Sequence, residues 1–195
     1  MIDTTKTKFR SFYKKLRNEI PTQERKNKSE LIAQKFLSEF LDDSYKTYFI
    51  YNSFSSEVET GDIMQTLWKF SKKILIPKCN TDELTMKAVV YNPQEKLTEN
   101  IYGIAENESA VDFSGKIDII VLPGIAFDSS GTRIGFGKGY YDRFINSLTN
   151  TPILVGLCFE EQLCNDNLPY DEHDKKVDYI ITDQQFVKIT KNRDY

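Results

Sequence analysis

Apolar residues recur at helical spacing near the start of the chain. Phe9, Phe12, Tyr13 and Leu16 fall at i, i+3, i+4 and i+7, which predicts a helix from about Thr5 to Glu19 with one apolar stripe. Pro21 ends it, and Thr22 is the expected N-cap of a second helix. Ala33, Phe36, Leu37 and Phe40 mark the inner face of that helix. The period then shortens. Tyr45 to Tyr51 is aromatic-rich and reads as a strand, followed by a loop through Ser53-Phe54-Ser55-Ser56-Glu57. Helical spacing resumes at Ile63, Leu67 and Phe70. Ile74-Leu75-Ile76 and Met86 to Tyr91 read as strands. Asn92 to Ser114 is polar and turn-rich, the expected long loop. Ile117 to Leu122 is apolar apart from Asp118, as in a strand buried on both faces. A glycine-rich segment follows, then a helix from about Tyr140 to Leu148, then apolar strands at Ile153 to Phe159 and Tyr179 to Thr182. Strands alternating with helices predict an α/β fold on a largely parallel or mixed sheet.

The chain has 195 residues, 39% hydrophobic, enough for one sizeable core and one domain over 1–195. The net charge of −3 gives no basic excess for nucleic acid. No run of about 18 apolar residues predicts a membrane span. The stretch Met1-Ile2-Asp3-Thr4-Thr5-Lys6 has no apolar signal core, so a soluble cytoplasmic protein is expected. Cys79, Cys158 and Cys164 lack metal-site or disulfide spacing and read as reduced thiols. His173 is the single histidine, which excludes a His-rich metal site.

The chemistry concentrates between Leu122 and Asp142. That stretch holds five of the nine glycines, with Gly135, Gly137 and Gly139 in strict alternation. Alternating glycine frees a short loop of side chains and lets its N–H groups close on an anion. Arg133 and Lys138 add positive charge, and a helix follows. The spacing is neither G-x-G-x-x-G nor G-x-x-x-x-G-K-[ST], so a standard dinucleotide fold or P-loop is disfavoured. Two readings remain: a phosphate cradle at a helix start, or a tight turn without a ligand.

Other residues carry similar alternatives. Asp142, in the first turn of the following helix, either stabilises the helix N-terminus or holds Mg²⁺ beside phosphates. Asp174 is the best second carboxylate, and its plainer reading is a solvated charged turn. The first helix, with Lys6, Lys8, Arg10, Lys14, Lys15 and Arg17, is a solvated basic face or a cationic wall for an anionic ligand. Glu57 sits in a Ser-rich loop after a strand, a common place for a substrate-binding acid. Tyr140 and Tyr141 either pack or stack on a planar ring.

The run Leu122-Pro123-Gly124-Ile125-Ala126-Phe127-Asp128, then Gly131-x-Arg133-Ile134-Gly135-Phe136-Gly137-Lys138-Gly139-Tyr140-Tyr141-Asp142, resembles the signature of the 5-formyltetrahydrofolate cyclo-ligase family. Lys6-x-x-Phe9-Arg10, Glu24-Arg25, Glu57-Val58-Glu59-Thr60, Glu161-Gln162-Leu163 and His173-Asp174-x-x-Val177-Asp178 resemble its other elements, in order. The resemblance implies a three-layer α/β/α sandwich and an ATP- and Mg²⁺-dependent cyclisation of 5-formyltetrahydrofolate to 5,10-methenyltetrahydrofolate, through a phosphorylated formyl group. It implies ATP contacts from Lys6, Arg10 and Arg133 through Tyr141, with Arg133 and Lys138 as the catalytic charges. It places Mg²⁺ on Asp142 and Asp174. Asn52, Glu57 and the segment Phe136 to Tyr140 would face the folate. A monomer acting on a small molecule, with or without a polyglutamate tail, is expected. Phe9 stands where the family has leucine. Phe136 stands where it often has tyrosine or arginine, which removes a hydroxyl or a charge from the substrate wall.

Two rival readings share the fold class. A sugar-phosphate isomerase or acyl-CoA transferase relative would need no ATP. A noncatalytic nucleotide- or folate-binding protein would keep the loop and lose a charge, whereas all six of Lys6, Arg10, Arg133, Lys138, Asp142 and Asp174 are present.

Overall fold

The computed structural model describes residues 4–93, 98–99, 105–106 and 111–190. The chain runs α1 (Thr4–Glu19), α2 (Thr22–Phe40), β1 (Thr47–Ile50), α3 (Gly61–Lys69), β2 (Lys73–Asn80), β3 (Thr85–Val90), β4 (Thr98–Glu99) and β5 (Ala105–Glu106). It continues β6 (Ile119–Leu122), β7 (Ala126–Asp128), β8 (Arg133–Ile134), α4 (Tyr140–Ser147), β9 (Ile153–Leu157), β10 (Leu163–Cys164), β11 (Tyr179–Ile181) and β12 (Phe186–Lys188). A 3₁₀ turn, Glu160–Gln162, precedes β10.

Among the described residues the main sheet has seven strands, in the order β12-β11-β9-β6-β1-β2-β3. The five inner strands are parallel, and the edge pairs β2·β3 and β11·β12 are antiparallel. This is the mixed α/β sheet that the alternation of elements predicts. Every residue of β1 is buried. Tyr48 and Ile50 point to a core built with Ile32, Phe36 and Phe40 of α2 and Ile63 and Leu67 of α3. Phe49 points to the opposite face, against Phe144, Ile145 and Leu148. Helices therefore cover both faces, and each buried Ile or Phe side chain contributes roughly 1.5–3 kcal/mol.

The first helix packs elsewhere. Phe9, Tyr13 and Leu16 lie against Ala126, Ile134 and Cys164 of a small second sheet, order β10-β7-β8, and against Ile125 and Leu168 beside it. That sheet projects from the end of β6 and holds α1 over the carboxyl edge of the main sheet.

Several local expectations shift. Pro21, not Thr22, is the N-cap of α2. Its φ of −56° and ψ of 145° suit the extended cap position, and Thr22 Oγ1 instead accepts from Arg25 Nη2 at 3.2 Å. Phe12 is 56% exposed and Phe70 60%, so both lie outside the apolar stripes that spacing assigned them. Phe70 is the C-cap of α3, where helical periodicity ends. Most of the long loop over 92–114 lies outside the described residues. Its described parts include the β4·β5 ladder and an antiparallel bridge from Asp112 to Val89. Cys79, Cys158 and Cys164 form no disulfide in the structure, and Cys158 and Cys164 are buried.

Candidate active site

The chain leaves β1 toward β2 on one side, while β6 pairs with β1 on the other. A crevice at the carboxyl ends of strands that diverge in this way is the common ligand position in open α/β sheets. A cavity of about 790 Å³ opens there, within the usual size of a small-molecule site. Tyr51 and Asn52 enter it from the end of β1, Pro123 from the end of β6, and Pro77 and Cys79 from β2. Lys6, Arg10 and Lys14 of α1 form one wall. They are four residues apart and share one helical face.

The glycine loop forms the opposite wall, and its conformation requires glycine. Gly137 has φ +91°, and a Cβ there would sit 3.2 Å from Arg10 Cζ. Gly139 has φ +66° and is the N-cap of α4. Arg10 Nε donates to the Gly135 carbonyl at 2.9 Å, so the loop wraps the arginine. Lys138 lies in the same turn, its carbonyl accepting from Arg143 Nη2 at 2.8 Å. The first N–H groups of α4 lie where the loop ends, a position suited to an anion.

Arg133 leaves β8 with its side chain 6% exposed. Nη2 donates to Asp142 Oδ1 at 3.0 Å and Nη1 to the Pro123 carbonyl at 3.3 Å. The guanidinium also lies 5.9 Å from the Tyr141 ring centre. Asp142 Oδ1 accepts the Lys175 backbone N–H at 3.0 Å, which brings the 171–175 loop against α4. Lys6 Nζ donates to Asp171 at 2.5 Å and to Asp174 at 2.6 Å. Burial works against the Lys6 charge, but these two carboxylates outweigh it and raise its pKa.

Glu57 forms the third wall. It is 5% exposed, and its Oε2 accepts the Phe54 N–H at 3.3 Å. Among the described residues, the buried side-chain atoms without a hydrogen-bond partner are Glu57 Oε1 and Arg133 Nε. Both residues line this cavity. Burial pushes the Glu57 carboxyl up to about 7, although Arg17 and the Phe54 N–H pull the other way. Phe54 and Phe136 lie 5.8 Å apart between ring centres, and both line the cavity.

Lys6, Arg10, Asn52, Glu57, Arg133 through Asp142, and Asp174 all border this one space, whereas Lys8, Lys15 and Arg17 of the basic helix do not. The 5-formyltetrahydrofolate cyclo-ligase family profile matches residues 2–183. The chain belongs to this family. A mouse 5-formyltetrahydrofolate cyclo-ligase is 32% identical over 193 residues, covering 92% of this chain and 94% of that one. A probable 5-formyltetrahydrofolate cyclo-ligase from Caenorhabditis elegans is 30% identical, covering 92% and 93%. The solved structure of Aquifex aeolicus 5,10-methenyltetrahydrofolate synthetase superposes with a TM-score of 0.83 at 25% identity, covering 98% of this chain and 96% of that one.

Within this cyclo-ligase scaffold, Asp142 and Asp174 already face Arg133 and Lys6. Among the described residues no group of three or more His, Cys, Asp or Glu could hold a metal by itself. That donor set fits Mg²⁺, which takes one or two carboxylates and completes its shell with phosphate oxygens and water. The unpaired Arg133 Nε and the backbone of the glycine loop fit a phosphate.

Sequence reading overlooked several residues that the fold adds. Asp171 shares Lys6 with Asp174 but stands in a polar turn with no distinguishing pattern. Phe54 joins Phe136 across two loops distant in sequence. Arg17, expected in a solvated basic face or a cationic wall, is instead 2% exposed and outside the cavity, because Ser56, 39 positions away, packs over it.

Proposed function

We propose that this chain cyclises 5-formyltetrahydrofolate to 5,10-methenyltetrahydrofolate with consumption of MgATP. The observation that carries this reading is the meeting, in one cavity, of a cation set with a buried carboxylate that has an open oxygen. Arg10, Arg133 and Lys138 suit a polyphosphate, and Glu57 Oε1 suits the paired N–H donors of a pterin ring.

A formyl amide is a weak electrophile, and its oxygen is a poor leaving group. ATP supplies the γ-phosphoryl group that makes that oxygen leave as phosphate, and Mg²⁺ neutralises the charge. The folate N10 then bonds to the formyl carbon, the carbon–oxygen bond breaks, and the N10 proton passes to solvent. Such chemistry needs placement and charge neutralisation rather than a protein nucleophile. Arg133 and Lys138 neutralise the oxygens of the transferring group. Arg133 also ties β8 to α4 through Asp142, which fixes the loop between them. Lys6, held by Asp171 and Asp174, places a further charge at the same end. Asp142 and Asp174 would hold Mg²⁺. Glu57 and Asn52 orient the pterin, and Phe136 through Tyr140 line the join between the two substrates.

Oxygen labelling tests the route. With ¹⁸O in the formyl group, the label is expected in the released phosphate. Label retained outside phosphate overturns the phosphorylated intermediate.

A further inference from the structure

Arg17 is 2% exposed, and it stands behind the cavity wall rather than in it. A fully buried arginine is rare unless something holds its charge. Its Nε donates to Ser56 Oγ at 3.0 Å, and Ser56 Oγ donates to Asn18 Oδ1 at 2.6 Å. The turn before Glu57 is therefore pinned to the last turn of α1. That turn carries strain, since Ser55 sits at φ +58°. It is also fixed by the Thr60 N–H to Ser53 Oγ at 3.3 Å and by Thr60 Oγ1 to the Tyr51 carbonyl at 2.8 Å. The Arg17 guanidinium lies 5.8 Å from the Phe136 ring centre, so it backs the aromatic wall as well.

The groups whose fields reach Glu57 come from three elements. They are Arg17 on α1, Tyr51 after β1 and Tyr141 on α4. Burial drives both phenols well above their ordinary range, so both are neutral near pH 7. Arg17 is then the cation that acts on Glu57. Burial lowers the Arg17 pKa while Glu57 raises it, so each supports the charge of the other; Arg25 on α2 opposes Arg17.

We propose that Arg17 is the positioning residue of the carboxylate site, holding the 53–57 turn through Ser56 and keeping Glu57 the anionic acceptor for a ligand that presents paired N–H donors. The ligand class rests on the cyclisation reading above; the effect on Glu57 does not. Arg17 acts through Glu57 and Phe136, since it does not itself line the cavity.

The test uses the full chain with ¹³C-carboxyl glutamate. The Glu57 signal is assigned by its loss in Glu57→Gln. Arg17→Met is expected to raise the proton affinity of Glu57 about tenfold, seen as a higher titration midpoint, whereas Arg17→Lys keeps the wild-type midpoint. In turnover at pH 7.5, Arg17→Met is expected to raise the KM for 5-formyltetrahydrofolate about tenfold while the KM for ATP holds, the scale of one charge-assisted contact. A folded Arg17→Met protein with an unmoved midpoint overturns the proposal, as does an equal rise in both KM values. Should Arg17→Met fail to fold, Ser56→Ala removes the anchor alone and is expected to raise the folate KM selectively; an unchanged folate KM overturns the proposal. The titration is read without turnover, so it separates failure here from failure of the cyclisation reading.

Discussion

Arg133 and Asp142 stand at opposite ends of the glycine loop and meet at 3.0 Å. Between them the chain turns through Gly137 and Gly139, both at positive φ. The ion pair closes the loop, so the cation that faces the cavity and the carboxylate proposed for the metal are set by one contact. Its worth lies in geometry more than in stability. A partly buried pair contributes modestly to folding, but it holds Arg133 at the cavity wall while the buried Nε stays without a hydrogen-bond partner.

Arg133→Ala is expected to lower kcat for methenyl product at least ~100-fold, the scale of losing one charge-stabilising donor. Thermal unfolding measured alongside separates this from collapse of the loop. Normal turnover in a folded variant removes the arginine from the mechanism.

The two aspartates that hold Lys6 are expected to differ. Asp174 is only 24% exposed at its side chain, whereas Asp171 is 66% exposed. Asp174→Asn and Asp142→Asn are expected to raise the Mg²⁺ concentration for half-maximal turnover by about tenfold each, and Asp171→Asn to leave it unchanged. A magnesium titration of the three variants checks this. Unchanged curves for Asp142→Asn and Asp174→Asn remove both from the metal site.

Glu57 gives a signed dependence on pH. Its carboxyl titrates near 7 in the folded chain, against an ordinary value of 4.5. Between those values the unfolded chain has released the proton and the folded chain still holds it. Folding stability therefore falls as pH rises through that window, by a few kcal/mol in all. Glu57→Gln lacks this loss, so its stability relative to wild type is expected to increase from pH 5 to 7.5 in urea unfolding. For the ligand the sign is opposite. Paired donors bind the carboxylate form, so the KM for 5-formyltetrahydrofolate is expected to fall as pH rises through about 7 in wild type only. A pH-independent KM in wild type removes Glu57 from folate binding.

The sequence made the inner strands and the loop legible for physical reasons. Ile119 to Leu122 is apolar at every position because both faces of β6 are covered. Gly135, Gly137 and Gly139 alternate because two of them need positive φ and the loop must pass close to Arg10. The partner of α1 was not legible. Its stripe is plain, but the surface it meets is assembled from Ile125, Ile134, Cys164 and Leu168, which short, non-local strands bring together. The same limit hid the Lys6 to Asp171 contact, spanning 165 positions, and the burial of Arg17 behind Ser56. Residue type and spacing pointed to the glycine loop, Arg133, Lys138, Asp142, Asp174 and Glu57, and the family resemblance added Asn52. The pairing among them depends on register and loop path, which periodicity does not encode.

The most direct measurement is absorbance at the methenyl-folate band after mixing the purified chain with 5-formyltetrahydrofolate, with and without ATP and Mg²⁺. A rise that requires both ATP and Mg²⁺ is the expected result. No rise from folded chain that still binds ATP, or a rise without ATP, would contradict the proposed function.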